Sequence, residues 1–340
     1  MYPEAPIYTS VFWPEALPPA YRDWDVRTSL LNRLPLIHPR HQWFLPLYPY
    51  AFEQFDFSSY DLVLSVTSAF AHGIITSPKT LHICYCLTPA RFLWDYHTYV
   101  AREGLSRPVR LIVPLFLYNL RLWDRLAADR VDQFVAISKV VQQRIRKFYH
   151  REAEVIYPPI DGERFSLSQR QGDYFLIISR LVPYKRIDLA VEAFNQLGLP
   201  LWIIGNGRDR RVLEAMAAPN VRFLGRVHDE EVGDYLSGCR AFIFPGEEDF
   251  GIAPLEAQAA GRPVIAYAGG GALETLVEGT TGLFFHEATP ESLAEAVMRF
   301  DDVHFDPVTI REHALRFDRA AFQRRFADLV QAKYNEFSTR

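Results

Sequence analysis

Two carboxylates eight positions apart, Glu248 and Glu256, bracket the run Asp249-Phe250-Gly251-Ile252-Ala253-Pro254-Leu255. A glycine at the start of a helix lets backbone approach a ligand, and the free N–H groups of the first turn face an anion. Pro254 suits an early helical position, where its missing donor does no harm. The segment therefore reads as a turn that holds a phosphate. Glu256, expected in the first helical turn, can accept hydrogen bonds from a pair of hydroxyls, and Glu248, just ahead of the turn, can do the same for a second polyol. A lone glutamate there would mean little, because the helix dipole favours it whatever the function.

A second segment adds weight. Ser179-Arg180-Leu181-Val182-Pro183-Tyr184-Lys185 follows the apolar run 174–178, so it lies where a buried strand ends, and ligands of parallel α/β sheets bind at that end. Arg180 offers a planar fork and Lys185 a point charge, a pair suited to a diphosphate. A diphosphate, a diol and a second polyol are together the recognition features of a sugar nucleotide.

The elements that must position these residues are legible from periodicity. Apolar runs at 174–178, 201–204, 221–224, 241–244, 264–267 and 283–285 alternate with amphipathic stretches, as in Ile187, Ala190, Val191, Phe194 and Leu197. That pattern predicts a parallel, doubly wound sheet. The first half alternates too, with strands expected at 7–13, 62–66, 81–86 and 134–137. Pro158-Pro159 and the polar stretch that follows mark a junction, because consecutive prolines stop helices and central strands. The expected division is an N-terminal α/β domain over 1–157, a linker over 158–172, a second α/β domain over 173–312, and a C-terminal helix within 313–340 that packs back on the first. Glycine usage divides the halves as well: only Gly73 and Gly104 precede residue 151, out of 18.

Composition narrows the class. At 340 residues the length favours two domains, and 49% hydrophobic with 23% charged residues is ordinary for a globular enzyme. A net charge of −4 argues against a general nucleic-acid binder. Three cysteines without a paired CxxC motif give neither a disulfide framework nor a zinc site, and point to the cytosol. Residues 1–20 contain no signal-peptide core. Between 91 and 151, twelve Lys/Arg stand against five Asp/Glu, and the basic, apolar 107–130 segment fits either the surface of an anionic membrane or a helix packed inward with its arginines in solvent.

Taken together, the Ser-Arg-Leu-x3-Lys loop, Ile204-Gly-Asn-Gly-Arg208, the Glu-x7-Glu segment and Ala268-Gly-Gly-Gly-Ala272 resemble the retaining glycosyltransferases of family 4. The first half, with Gln54-Phe-Asp56, Tyr60-Asp-Leu-Val63, His82-Ile-Cys-Tyr-Cys86 and Thr88-Pro-x-Arg91-x2-Trp94-Asp95, is similar to the bacterial branch of O-antigen and exopolysaccharide mannosyltransferases. The resemblance implies a GT-B fold, two Rossmann-like domains with parallel sheets facing across a cleft. It further implies transfer of a hexose, mannose from GDP-mannose, to a glycan or lipid-linked acceptor, with no metal or other cofactor; a place at the inner face of the membrane would come through the basic 107–130 segment.

The resemblance also implies roles. Arg180 and Lys185 would bind the leaving diphosphate, Gly251 and Ile252 would offer backbone N–H groups, Glu256 would hold the ribose diol and Glu248 the hexose. The base would lie near Asn206, Gly207, Arg226 and Val227, with Arg91 and Asp95 on the acceptor side.

Two departures stand out. Relatives of this branch often carry a histidine where this chain has Leu87, so no catalytic histidine is assigned; His97 lies a few residues on. The chain also opens on what resembles the approach to a second strand, as though a strand-turn-helix unit of about 25 residues were absent, which would expose a sheet edge. These departures leave a catalytically impaired sugar-nucleotide binder or scaffold as the alternative. An NAD oxidoreductase lacks its strand-linked G-x-G-x-x-G, and Asp23-Trp-Asp25 follows a proline-rich loop rather than a buried strand, which disfavours a metal-dependent site there.

Overall fold

The computed structural model describes residues 2–95, 107–168 and 172–339. The chain divides into two compact units, one comprising residues up to Ile137, Val141–Ile156 and the chain from Arg325, the other Ser138–Val140 and Tyr157–Arg324.

In the first unit, β1 (Ile7–Thr9) and β2 (Val26–Thr28) pair in parallel as a small sheet of their own. A second parallel sheet follows the chain order β3 (Leu62–Thr67), β4 (Leu81–Cys86), β5 (Gln133–Ala136) and β6 (Ala153–Val155). The strand expected over 7–13 is shorter, because its partner β2 pairs with it over Ile7–Thr9 alone. Strands β2 and β6 escape periodicity altogether, since three residues offer a single step of alternation. All six residues of β4 are buried, so Cys84 and Cys86 act as small apolar fillers, and burial pushes the Cys84 thiol up to about 12. The outer edges of β1 and β3 make no backbone hydrogen bonds beyond their own sheets among the described residues, and both line an apolar cavity of about 800 Å³ with Phe52, Phe55 and Phe57.

The basic segment forms the helix Arg107–Ala127, which continues through Pro114. Leu117, Leu120 and Asp124 are buried, and the Trp94 indole donates to Asp124 Oδ2 at 2.7 Å, which gives the buried carboxylate a partner. The arginines expected in solvent are engaged with protein instead. Arg121 donates to the Leu93 carbonyl at 3.0 Å, Arg125 pairs with Asp129 at 2.8 Å, and Arg130 pairs with Glu53 at 2.6 Å. The side chains of Arg107 and Arg110, and all of His97, lie outside the described residues. Among the described residues no helix is long and apolar enough to cross a membrane.

His82, the second residue of β4, is buried with its Nε2 2.7 Å from Ser65 Oγ. Burial, helped by the nearby His72, lowers its pKa from 6.5 to about 3. The folded chain therefore holds His82 neutral, whereas the unfolded chain takes up a proton below about pH 6.5. Its stabilising contribution is complete above that pH and is lost as pH falls toward 3, with a slope of up to about 1.4 kcal/mol per pH unit. Replacing His82 by asparagine is expected to flatten this slope in urea titrations between pH 6.5 and 4. An unchanged slope would assign the acid sensitivity to other groups.

In the second unit six parallel strands, β7 (Phe175–Ile178), β8 (Leu201–Ile204), β9 (Val221–Gly225), β10 (Phe242–Phe244), β11 (Val264–Tyr267) and β12 (Gly282–Phe285), lie in the order β12-β11-β10-β7-β8-β9. The order reverses between β7 and β10, the point at which doubly wound sheets open a crevice for ligands. The helix Ile187–Leu197 turns Ile187, Ala190, Val191 and Phe194 inward at spacings of three and four, against Phe175 and Ile177 of β7. Each large side chain so buried stabilises the fold by about 1.5–3 kcal/mol.

The helix expected within 313–340 is Arg319–Ser338, and a separate helix precedes it. Pro307–Leu315 packs on Ile252–Ala259, and Arg319–Ser338 follows. Within the first unit, Phe326 of that last helix sits edge-on to Tyr85 at 5.7 Å.

Candidate functional site

The switch point brings the two motif segments together. The loop after β7 carries Arg180 and Lys185, and the loop after the adjacent β10 carries Glu248 and leads to the helix Ile252–Ala259. Lys185 ends a short 3-10 turn, Pro183–Lys185, and its ammonium pairs with Glu248 Oε1. The Gly271 N–H donates to the Glu248 carbonyl at 2.8 Å, fixing that loop from the β11 side. Arg180 is exposed and its guanidinium donates to the Tyr184 hydroxyl at 2.6 Å.

Gly251 immediately precedes the helix with φ +94°, where an added Cβ would meet the Phe244 ring at 3.0 Å. Only glycine holds that turn without strain. Among the described residues the N–H groups of Gly251 and Ile252 donate to no protein acceptor, which leaves them aimed at whatever occupies the crevice. The helix opens at Ile252, directly after the glycine as expected, which makes Glu256 its fifth residue, just past the first turn expected for it, and Pro254 its third, still among the positions without an intrahelical donor partner.

Glu256 is half-buried, and burial raises its pKa above the ordinary carboxylate range; Asp229 raises it further and Arg164 opposes the shift. Neither Asp229 nor Arg164 is evident as a site residue in the sequence. Arg164 sits in the junction segment, and Asp229 in a polar loop without periodicity. The Arg164 guanidinium donates to the Asp229 carbonyl, which ties the two residues to each other.

Beyond β7 the loops are stitched together at the same end of the sheet. The Leu181 N–H donates to the Asn206 carbonyl at 3.0 Å, and the Gly205 N–H donates to the Gly225 carbonyl at 2.7 Å, next to Arg226 and Val227. Gly205, at φ +128°, has no room for a Cβ, which would lie 1.9 Å from the Ser179 carbonyl oxygen. The Asn206 side chain accepts from the Gly207 N–H at 2.8 Å. Asn206, Gly207, Arg226 and Val227 thus share one strand-end surface with Arg180 and Lys185. Arg91 and Asp95 belong to the first unit, at the two ends of the short helix turn that follows Leu87; the Asp95 N–H donates to the Arg91 carbonyl at 2.8 Å. The Asp25 carboxylate of the Asp-x-Asp triplet pairs with Arg27 at 3.0 Å.

Comparison with known proteins bears on this geometry. The profile of the family described as Glycosyl transferases group 1 matches residues 161–313. An uncharacterised glycosyltransferase of Methanocaldococcus jannaschii, MJ1178, is 25% identical over 225 residues, 64% of this chain and 63% of that protein. The GDP-mannose-dependent monoacylated alpha-(1-6)-phosphatidylinositol monomannoside mannosyltransferase of Corynebacterium glutamicum is 36% identical over 146 residues, 38% of this chain and 37% of the relative. In both cases the match spans less than two thirds of the relative's own length. Among solved structures, sucrose-phosphate synthase from Thermosynechococcus elongatus aligns with a TM-score of 0.70 at 18% identity, covering 92% of this chain and 84% of that one. The chain therefore has the GT-B fold, with residues 161–313 matching the glycosyl transferases of group 1.

Proposed function

We propose that this protein is a retaining glycosyltransferase that moves a hexose, mannose from GDP-mannose, onto a glycan or lipid-linked acceptor at the inner face of a membrane. The observation that carries the reading is the Lys185–Glu248 pair at the switch point, beside the open N–H groups of Gly251 and Ile252. A cation, two backbone donors and a carboxylate converge there on the edge where a strand-end ligand lies. Arg180 and Lys185 neutralise the departing diphosphate, Glu248 orients the hexose and Glu256 the ribose, with the base beside Asn206, Gly207, Arg226 and Val227. On the acceptor side, Arg91 and Asp95 meet the incoming glycan.

The chain's own residues supply electrostatics and position rather than a covalent nucleophile. A donor phosphate oxygen takes the acceptor proton as the hydroxyl arrives on the face the diphosphate leaves, and no metal is needed. The printed name of the Corynebacterium glutamicum relative supports the choice of donor, and the transferases among the relatives support an enzyme over a binding-only protein.

The test is a panel of radiolabelled sugar nucleotides, with lipid-linked glycans as acceptors and with or without EDTA. Mannose transfer from GDP-mannose that persists in EDTA is expected. Transfer from a different donor would overturn the mannosyl assignment, loss in EDTA would overturn the metal-free one, and no transfer or hydrolysis from any donor would overturn the enzyme.

A further inference from the structure

The run Gly269-Gly270-Gly271, between β11 and the short helix Ala272–Thr275, backs the loop that carries Glu248. A Cβ on Gly270, whose φ is +59°, would lie 2.2 Å from the Glu248 carbonyl oxygen, and one on Gly271 would lie 2.3 Å from the Phe250 Cα. Neither position has room for a side chain. The Gly271 N–H donates to that same Glu248 carbonyl at 2.8 Å. Backbone therefore lies directly against backbone along residues 248–250, and the glycine run fixes where the donor turn sits.

Glu274, three residues on, anchors that run. Its carboxylate accepts from the Lys139 N–H at 2.9 Å on each oxygen, from the Val140 N–H at 3.4 Å and from the Tyr157 hydroxyl at 3.1 Å, all within the second unit. A carboxylate offers about four acceptor positions, so these contacts engage Glu274 with protein and set it apart from Glu248 and Glu256 as a ligand for hydroxyls. The Tyr157 ring in turn stacks on the buried Phe250 at 5.6 Å, with the two planes 18° apart. From the other side, Gln258 of the helix Ile252–Ala259 donates to the Thr275 carbonyl at 3.1 Å, and Thr275 Oγ1 donates to the Gly271 carbonyl at 3.2 Å. Both of those side chains are fully buried. The contacts close a ring that runs from Glu274 through Tyr157 and Phe250 to the donor turn, along its helix, and back through Thr275.

We propose that Glu274 is a positioning residue for the donor turn, holding the Glu248 carbonyl through the glycine run and the Phe250 ring through Tyr157 without touching the donor itself. The inference rests on the reading of the strand-end crevice as a sugar-nucleotide site. Glu248 and the N–H groups of Gly251 and Ile252 must be in place before charge develops on the diphosphate, because a preorganised group stabilises a transition state without having to move. A reacting group displaced by about 1 Å can lose about a hundredfold in rate. Glu274 reaches the turn by two routes, so its loss is expected to cost more than loss of the Tyr157 hydroxyl, which severs one.

The test compares the full chain with Glu274→Ala, Glu274→Gln, Tyr157→Phe and the double variant Glu274→Ala/Tyr157→Phe, each assayed with the donor that the parent uses and with kcat expressed per nucleotide-binding site titrated calorimetrically. Glu274→Ala is expected to lower kcat per site about tenfold with the donor KM changed by less than about threefold. Glu274→Gln, which keeps one acceptor oxygen, is expected to fall between it and the parent. Tyr157→Phe should lose less, and the double variant no more than Glu274→Ala alone, because the two side chains act through one hydrogen bond. A merely structural role would lower the thermal midpoint and leave kcat per site unchanged. That result, a change confined to KM, or losses that add in the double variant would overturn the proposal; if Glu274→Ala does not fold, Tyr157→Phe and Glu274→Gln decide. Hydrogen exchange keeps the test apart from the activity reading. Faster exchange over residues 248–252 is expected in Glu274→Ala and Tyr157→Phe whether or not the parent transfers a sugar. A parent without turnover overturns the enzyme alone, whereas unchanged exchange over 248–252 overturns the positioning of the turn.

Discussion

Lys185→Ala is expected to lower kcat by about 10²- to 10³-fold, the loss typical of removing one preorganised group that stabilises developing charge. The ammonium sits at the end of a turn fixed by Pro183, in the loop of the strand beside β10, so it is aimed before substrate arrives. Negative charge grows on the diphosphate as the glycosidic bond breaks, and a cation that meets it only then acts on the transition state more than on the ground state. The same substitution leaves Glu248 without its partner, so donor affinity should fall as well. Steady-state kinetics separates the two effects: the larger change is expected in kcat, and a change confined to KM would make Lys185 a binding residue only. Arginine is not expected to restore activity fully, because a planar fork does not replace a point charge in a half-buried pocket.

Glu256→Gln is expected to weaken donor binding by about ten- to a hundredfold, the range for losing charged hydrogen bonds to a diol, without lowering the thermal midpoint. Burial raises the folded pKa of Glu256 above its ordinary value of 4.5. Its contribution to stability is therefore fully present below that ordinary value and is lost as pH rises through the folded one. Its ionised form is a burden on the fold, because burial disfavours the charge. An amide of the same size removes the burden and retains only part of the hydrogen bonding. Calorimetric titration and thermal unfolding at pH 7 check both halves; a lowered midpoint with unchanged affinity would make Glu256 a structural residue held by Arg164 rather than a ligand to the donor.

The donor half of the molecule was legible because its signals are local. Buried parallel strands give continuous apolar runs, helices such as Ile187–Leu197 show their spacing, and glycine and proline mark the turns. Lys185 and Glu248 are 63 positions apart in the chain, yet both could be placed, because each follows an identifiable strand and the sheet order makes those strands neighbours. Arg164 and Asp229 were not legible, since they act on Glu256 through long-range packing that leaves no periodicity. Gly251, at φ +94°, opens the helix at Ile252 as its sequence position suggests, and only the place of Glu256, fifth in the helix rather than in the first turn, differs. The first unit yielded less. Its strands β2 and β6 are too short for alternation to register, and the Arg107–Ala127 helix buries Asp124, a polar side chain on the face that an apolar pattern would leave to hydrophobic residues alone.

The most direct measurement is isothermal titration of the intact chain with GDP and UDP, repeated on Arg180→Ala, Lys185→Ala and Glu256→Gln. At least one diphosphate is expected to bind, and each substitution is expected to weaken it. No binding of either nucleotide, or an affinity unchanged in all three variants, would contradict the assignment of this strand-end crevice as a nucleotide-sugar site.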